Sequence, residues 1–225
     1  GQRVAVSAGG TREPIDPVRH LSNRSSGKQG HALAAAALRR GAEVTLVTTM
    51  PSPLPAHPRL HVVHVDTAAE MEAAMSIESD KADVIVMAAA VSDFRPKRAA
   101  TAKLTKEDGI PEIVLEQTPD ILRGLVERRR SAQVIVGFAA ETNDPVARAR
   151  RKRESKGADL MVVNDVSAPG VGFDHDTNAV TIIKEFGDRE IPLTTKDAVA
   201  HAVLDEVVGL LDTHRGADRA RGEEH

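Results

Sequence analysis

Between Gly9 and Lys28 the chain gathers a dense set of groups able to hold an anion. Glycines stand near both ends (Gly9, Gly10, Gly27), hydroxyls come from Thr11, Ser22, Ser25 and Ser26, an amide from Asn23, and cations from Arg12, Arg19, Arg24 and Lys28. The segment ends in what reads as a helix N-terminus, where free N–H groups and the helix dipole favour phosphate or carboxylate. Strand-to-helix loops usually run about 2–6 residues, and much longer ones tend to be functional. This one reads as a site. On loop chemistry alone Gly10, Thr11, Arg12, Ser25, Ser26 and Lys28 are candidates for phosphate or acyl binding.

Three further segments carry polar groups. In Ala88-Ala89-Ala90-Val91-Ser92-Asp93-Phe94 the alanines are small enough for a flat ring or a phosphate to approach the backbone. Asp93 can accept from an amine or a ribose hydroxyl, and Phe94 or Phe138 can flank a base; the plain alternative is a strand end followed by a turn. Lys97, Lys103 and Lys106 lie in a stretch without apolar pattern, read as a flap over phosphates or, equally, as a solvated loop. Arg148, Lys152 and Lys156 fall at i, i+4 and i+8, one cationic stripe on a helix, with Arg150 and Arg151 beside it. His61 and His64 read as structural. Asp174, Asp176 and Asn178 miss the calcium-loop spacing and read as turn formers. Ser25 and Ser26 have no nucleophile elbow around them.

The elements that must position these groups alternate. Arg3–Ser7, Glu43–Val47, Leu60–Val65, Asp83–Met87, Gln133–Phe138 and Leu160–Val163 read as strands, with a further strand at Glu112–Leu115. Helices are expected at Lys28–Arg40, from the cap Thr67 to Ile77, from Thr118-Pro119 to Arg130, and from Asn143 to Lys156. After Asn164 the pattern changes: Asn178–Lys184 and Arg189–Pro192 form a hairpin around Phe186-Gly187-Asp188, and Thr195–Leu211 is an amphipathic helix. The expectation is an α/β fold, a Rossmann-like doubly wound, mostly parallel sheet with an appended C-terminal antiparallel extension. One domain spans residues 1–213, its core 1–163 followed by the extension 164–213, with 214–225 a disordered tail. In such sheets ligands bind beyond the carboxyl ends of the strands, which places all the polar segments around one crevice.

Composition narrows the classes. With 225 residues, 41% of them hydrophobic, the chain can build its own core, and a net charge of −3 gives no footprint for nucleic acid or an anionic membrane. No run is long enough to span a bilayer, and no signal peptide is visible, so a cytoplasmic protein is expected. Cysteine is absent, which removes thiol nucleophiles and Cys-ligated metals; tyrosine and tryptophan are absent too, leaving Phe94, Phe138, Phe173 and Phe186 as the aromatic rings. An NAD(P)-dependent oxidoreductase would need G-x-G-x-x-G and an acidic residue after the second strand, where Thr48-Thr49-Met50 stand instead. The P-loop signature is also missing. A non-catalytic nucleotide-sensing module stays open on these grounds.

Taken together, Gly9-Gly10-Thr11-Arg12-Glu13-Pro14-Ile15-Asp16-Pro17-Val18-Arg19, Ser22-Asn23-Arg24-Ser25-Ser26-Gly27-Lys28, Ala88–Phe94, Gly137–Thr142 and Asn164-Asp165-Val166 resemble bacterial phosphopantothenoylcysteine synthetase over about residues 3–212. The resemblance implies a Mg²⁺- and CTP-dependent ligase. CTP would convert the carboxylate of 4′-phosphopantothenate to an acyl-cytidylate with loss of pyrophosphate, and the amine of cysteine would then displace CMP. It gives Asn23 and Lys103 catalytic roles, Asn23 holding the acyl intermediate. It assigns the nucleotide to Met87, Ala88, Ala89, Asp93, Lys103, Gln117, Thr118, Pro119, Phe138, Lys152 and Lys156, and names no metal ligands. The family's basic flap cluster, often Lys-x-Lys-Lys, here reads Lys103-Leu104-Thr105-Lys106, which leaves Lys106 without a role. Members are homodimers, the flap and the appended sheet lying near the partner. In bacteria the activity is usually the C-terminal half of a bifunctional protein whose N-terminal half is a flavin-dependent decarboxylase, and a chain opening directly on a strand is expected to be that half.

Overall fold

A computed structural model of the chain describes residues 1–141, 144–165 and 175–222, without the side chains of Asp108, Asp165 and 217–222. Thr142, Asn143, Val166, Phe173, Asp174 and residues 223–225, all part of the readings above, lie outside the described residues. In chain order the elements are β1 (Arg3–Ala8), β2 (Arg12–Pro14), β3 (His20–Ser22), α1 (Lys28–Arg39), β4 (Glu43–Thr48), β5 (Leu60–His64), α2 (Ala68–Ser79), β6 (Val84–Met87) and β7 (Phe94–Pro96). They continue with β8 (Leu115–Gln117), α3 (Ile121–Glu127), β9 (Val134–Glu141), α4 (Pro145–Lys156), β10 (Leu160–Asp165), β11 (Thr177–Ile183), β12 (Arg189–Thr195) and α5 (Lys196–Gly222).

Six parallel strands lie in the order β5-β4-β1-β6-β9-β10, and β11 and β12 extend the β10 edge antiparallel. This is the expected architecture. Alternation along each strand assigns its two faces. Val4, Val6, Val84, Val86, Val134 and Val136 pack against Leu33 and Ala37 of α1 and Val199 and Val203 of α5. Ala5, Ile85, Met87 and Ile135 face the other way, onto Met71 and Met75 of α2 and Ile121 and Leu125 of α3. Fully burying one such aliphatic side chain contributes about 1.5–3 kcal/mol, so helices on both faces fix the register of every central strand. His31, on the inner face of α1, is buried against Thr48 and its pKa is pushed down by that burial.

Four local expectations are corrected. The strand read at Glu112–Leu115 lies later, as β8 at Leu115–Gln117, and it pairs with β7 in a separate antiparallel ribbon instead of joining the main sheet. The helix placed at Thr118-Pro119 starts later. Asp120 is its cap, accepting from the Arg123 N–H at 3.2 Å, while the Thr118 hydroxyl donates to the Ser92 carbonyl at 2.5 Å; α3 ends at Glu127, not Arg130. The opening loop contains a hairpin, β2–β3, because Asp16 turns the chain by accepting from the N–H groups of Val18 and Arg19, both at 2.8 Å. Residues 214–222, expected to be disordered, continue α5: Ala and Arg sustain a helix without needing an apolar stripe.

Candidate active site

The order of the parallel strands reverses at β1: its successor β4 lies on one side and β6 on the other. A crevice opens at that switch point, beyond the carboxyl ends. The chains leaving β1 and β6 are stitched together there. Ala90 N–H donates to the Gly9 carbonyl at 2.8 Å, Thr11 N–H to the Ala90 carbonyl at 3.3 Å, and Ala89 N–H to the Ser7 hydroxyl at 3.1 Å. Gly10 lies at this seam, where an added Cβ would stand 2.7 Å from the Asn23 carbonyl oxygen. Only glycine lets the two backbones approach so closely.

The larger cavity, about 630 Å³, runs from this seam to α4 and is lined by Asn23, Met87, Ala89, Asp93, Gln117, Thr118, Pro119, Phe138, Lys152 and Lys156. Eleven residues were read as nucleotide contacts, and these are nine of them together with Asn23. Asn23 Nδ2 donates to the carbonyls of Val91 at 3.1 Å and Ala90 at 3.4 Å, which fixes its amide over the alanine segment. Lys156 pairs with Asp120, and among the described residues neither Lys152 nor the carboxylate of Asp93 has an ion-pair partner. Arg148, the third member of the stripe, turns to Glu141 at 2.8 Å, and Arg150 to Asp188.

A smaller cavity of about 100 Å³ adjoins it across Ala89, Ala90 and Phe138. Ser25, Ser26, Lys28 and Ala88 line it, the eleventh-hour turn into α1 being made by Gly27, whose φ of 75° suits glycine. The cap residue Gly27 has no side chain to offer, and the first turn of α1, Lys28 to Gly30, lines this space. Lys28 reaches across to Asp176 at 2.7 Å, and that contact holds the Asp176 carboxyl below its usual range. Gln29, Asn178 and Lys196 also line it, and the sequence reading gave none of them a place in the site. Asn178, expected to form a turn, sits buried in β11, where Asn164 Nδ2 donates to its Oδ1 and it donates in turn to Gln29, both at 3.4 Å. An amide in a strand otherwise made of Thr, Ala, Val and Ile was the available signal.

Three candidates stand elsewhere. Thr11 is fully buried and its hydroxyl accepts from the Ser92 N–H at 2.9 Å, so it braces the two loops and presents nothing to a ligand. Arg12 points to Asp66 at 3.5 Å and to the sulfur of Met50, away from both cavities. Lys103 is exposed and lines neither cavity. His61 and His64 face solvent on the edge strand β5, and no cluster of three potential metal ligands exists among the described residues.

The family model of the DNA/pantothenate metabolism flavoprotein C-terminal domain matches residues 1–211. The chain belongs to that family. It is 43% identical over 212 residues to the coenzyme A biosynthesis bifunctional protein CoaBC of Escherichia coli K12, covering 93% of this chain and 52% of that protein. The CoaBC of Bacillus subtilis is likewise 43% identical over 93% of this chain. The crystal structure of the C-terminal domain of a CoaBC superposes with a TM-score of 0.78 at 36% identity, covering 95% of this chain and 97% of that one. The chain thus spans about half the length of the curated relatives it matches. No helix among the described residues is long and apolar enough to cross a membrane.

Proposed function

We propose that this domain is a phosphopantothenate–cysteine ligase using CTP. The observation that carries the reading is the larger cavity. In a domain of this family it gathers a ring surface (Phe138), two lysines, an uncommitted carboxylate and the amide of Asn23 at the switch point of the sheet. Its volume of about 630 Å³ lies in the usual range for ligand pockets, about 300–1,000 Å³.

In the first step a carboxylate oxygen of 4′-phosphopantothenate attacks the α-phosphorus of CTP; the bond from that phosphorus to the bridging oxygen breaks, and pyrophosphate leaves. In the second, the cysteine nitrogen attacks the acyl carbon, loses a proton, and the acyl–oxygen bond breaks to release CMP. No covalent bond to the protein is needed, so its task is to position the reactants and neutralise charge. Lys152 and Lys156 meet the phosphates, Phe138 flanks the base, and the Asn23 amide, exchanging its longer bond to the Ala90 carbonyl, serves the carbonyl oxygen that gains charge when cysteine attacks. The smaller cavity, with the open N-terminus of α1, Ser25, Ser26 and Lys28, takes the pantothenate side. Mg²⁺ holds to phosphates with only one or two carboxylates and several waters. Asp93 fits that requirement, and the ion would supply charge neutralisation.

Lys103 acts when the segment carrying it closes over the nucleotide. The exposed Phe94, Ile113, Val114 and Leu115, with Val18 and Leu21 of the first hairpin, favour a homodimer across this region. A flavin-dependent decarboxylase domain is the companion expected in a protein of twice the length.

Incubation with 4′-phosphopantothenate, cysteine, Mg²⁺ and either CTP or ATP, read as pyrophosphate, tests the assignment. Release with CTP is expected, and silence with CTP sinks the ligase reading. Equal release with ATP would keep the ligase and remove the base preference.

A further inference from the structure

Outside the cavities, the most heavily built polar contact joins the first hairpin to the segment that carries Lys103. The Asp16 side chain has no exposed surface. Its oxygens accept from the N–H groups of Val18 and Arg19 at 2.8 Å, from Arg19 Nε at 2.9 Å and from Leu104 N–H at 3.2 Å. The Arg19 guanidinium, paired with Asp16 at 2.7 Å, also donates to the Leu104 carbonyl. One ion pair therefore holds both polar groups of Leu104, and Ala100 N–H donates to the Ile15 carbonyl at 2.9 Å beside it.

A turn former would need only the first two bonds. Turns of this kind form on the surface, where the carboxylate stays solvated. Burying a carboxylate costs several kcal/mol unless donors replace its water. Here part of that replacement comes from 88 residues away. Burial alone would raise the pKa of Asp16, but the amides of Val18, Arg19 and Leu104 and the Arg19 side chain bring it down to about 2, so the anchor is an anion. The residue it fixes is the immediate neighbour of Lys103.

We propose that Asp16, acting through Arg19 and the peptide groups of Leu104, is a positioning residue that sets where Lys103 stands relative to the crevice. What Lys103 does there rests on the ligase reading; the clamp does not.

The test compares wild type with Asp16→Asn. In hydrogen–deuterium exchange, peptides covering residues 98–107 should exchange about tenfold faster in the variant, with β1 and β6 unchanged. Unaltered exchange overturns the clamp. In pyrophosphate release the variant should raise KM for CTP and lower kcat, and adding it to Lys103→Ala should cost nothing more. If the two losses multiply, Asp16 does not act through Lys103 and the positioning role falls. Should wild type release no pyrophosphate, the ligase reading and the catalytic half of this proposal fall together, while exchange still judges the clamp. Should Asp16→Asn fail to fold, Arg19→Lys, which keeps the charge but shortens the reach to Leu104, takes its place with the same expected and overturning outcomes.

Discussion

The two long segments at the crevice, one following β1 and one following β6, begin alike and are built differently. The first is a scaffold in its own right: it folds into a hairpin and turns Thr11, Glu13 and Asp16 inward until each is nearly or fully buried. Glu13 accepts from the Ala68 N–H at 2.9 Å, at the start of α2. The second makes a short ribbon with Phe94 and Leu115 exposed, and takes anchors from the first: Ser92 N–H on Thr11, Ala100 on Ile15, Leu104 on Asp16. Burial and satisfied polar groups make the first segment expensive to disturb, whereas the second can move wherever those few anchors allow.

The largest effect comes from the side chain of the first segment that both lines the larger cavity and donates to the second segment. Asn23→Ala should still release pyrophosphate but slow formation of the cysteine adduct by about 10²–10³, the usual cost of removing a donor to a developing oxyanion. Quenched-flow analysis would show the acyl-cytidylate accumulating. Product formation at the normal rate removes Asn23 from the chemistry.

The next effect is on stability. Glu13→Ala leaves the Ala68 N–H without its acceptor and a space where a buried side chain stood, which should cost about 2–3 kcal/mol in urea unfolding. Lys97→Ala, on an exposed position of the second segment, should change stability by no more than about 0.5 kcal/mol. Equal costs would erase the distinction between scaffold and hung segment. A smaller effect is expected at the far wall of the crevice. Lys152→Ala should raise KM for CTP about tenfold with kcat little changed, since a phosphate-holding cation binds ground and transition states alike. Lys156→Ala should do less, because Lys156 already pairs with Asp120.

The sheet was legible because its signal is repeated. Val84–Met87 and Val134–Val136 are unbroken apolar runs, which bury both faces of a strand at once, and helices must cover them. The larger cavity was legible through motifs whose residues lie near one another in sequence, as in Ala88–Phe94 and Gln117–Pro119. What escaped depends on distant partners. Asp16 looks like a turn residue until Leu104 meets it, and Thr11 looks like a ligand contact until Ser92 takes its hydroxyl. Arg12 was a free cation in sequence and is spent on Asp66. The wall formed by Asn178 and Lys196 needed the packing of the appended strands on β10, which no local pattern encodes.

The subtlest test of the contrast is acid. Asp16 has a folded pKa of about 2, below its ordinary 3.8. A carboxyl depressed in this way contributes stability that is complete above the unfolded pKa and is lost as pH falls through the folded one, here from about pH 4 toward about pH 2. Asp176 is depressed by Lys28; Glu206, which burial would raise, is depressed by Lys184 and Arg189. Both act in the same direction, so wild type should weaken on acidification. The share owed to Asp16 is isolated by Asp16→Asn: the stability gap between the two proteins should be constant above about pH 4 and narrow below it. Salt separates it further. The exposed Lys28–Asp176 pair is screened at about 1 M salt, whereas the Asp16 carboxylate is itself buried and held by direct backbone hydrogen bonds, and loses little. A gap that stays flat across the acid range would mean that the first hairpin is not held by an ionised carboxylate, and the second segment would then hang on Thr11, Ile15 and packing.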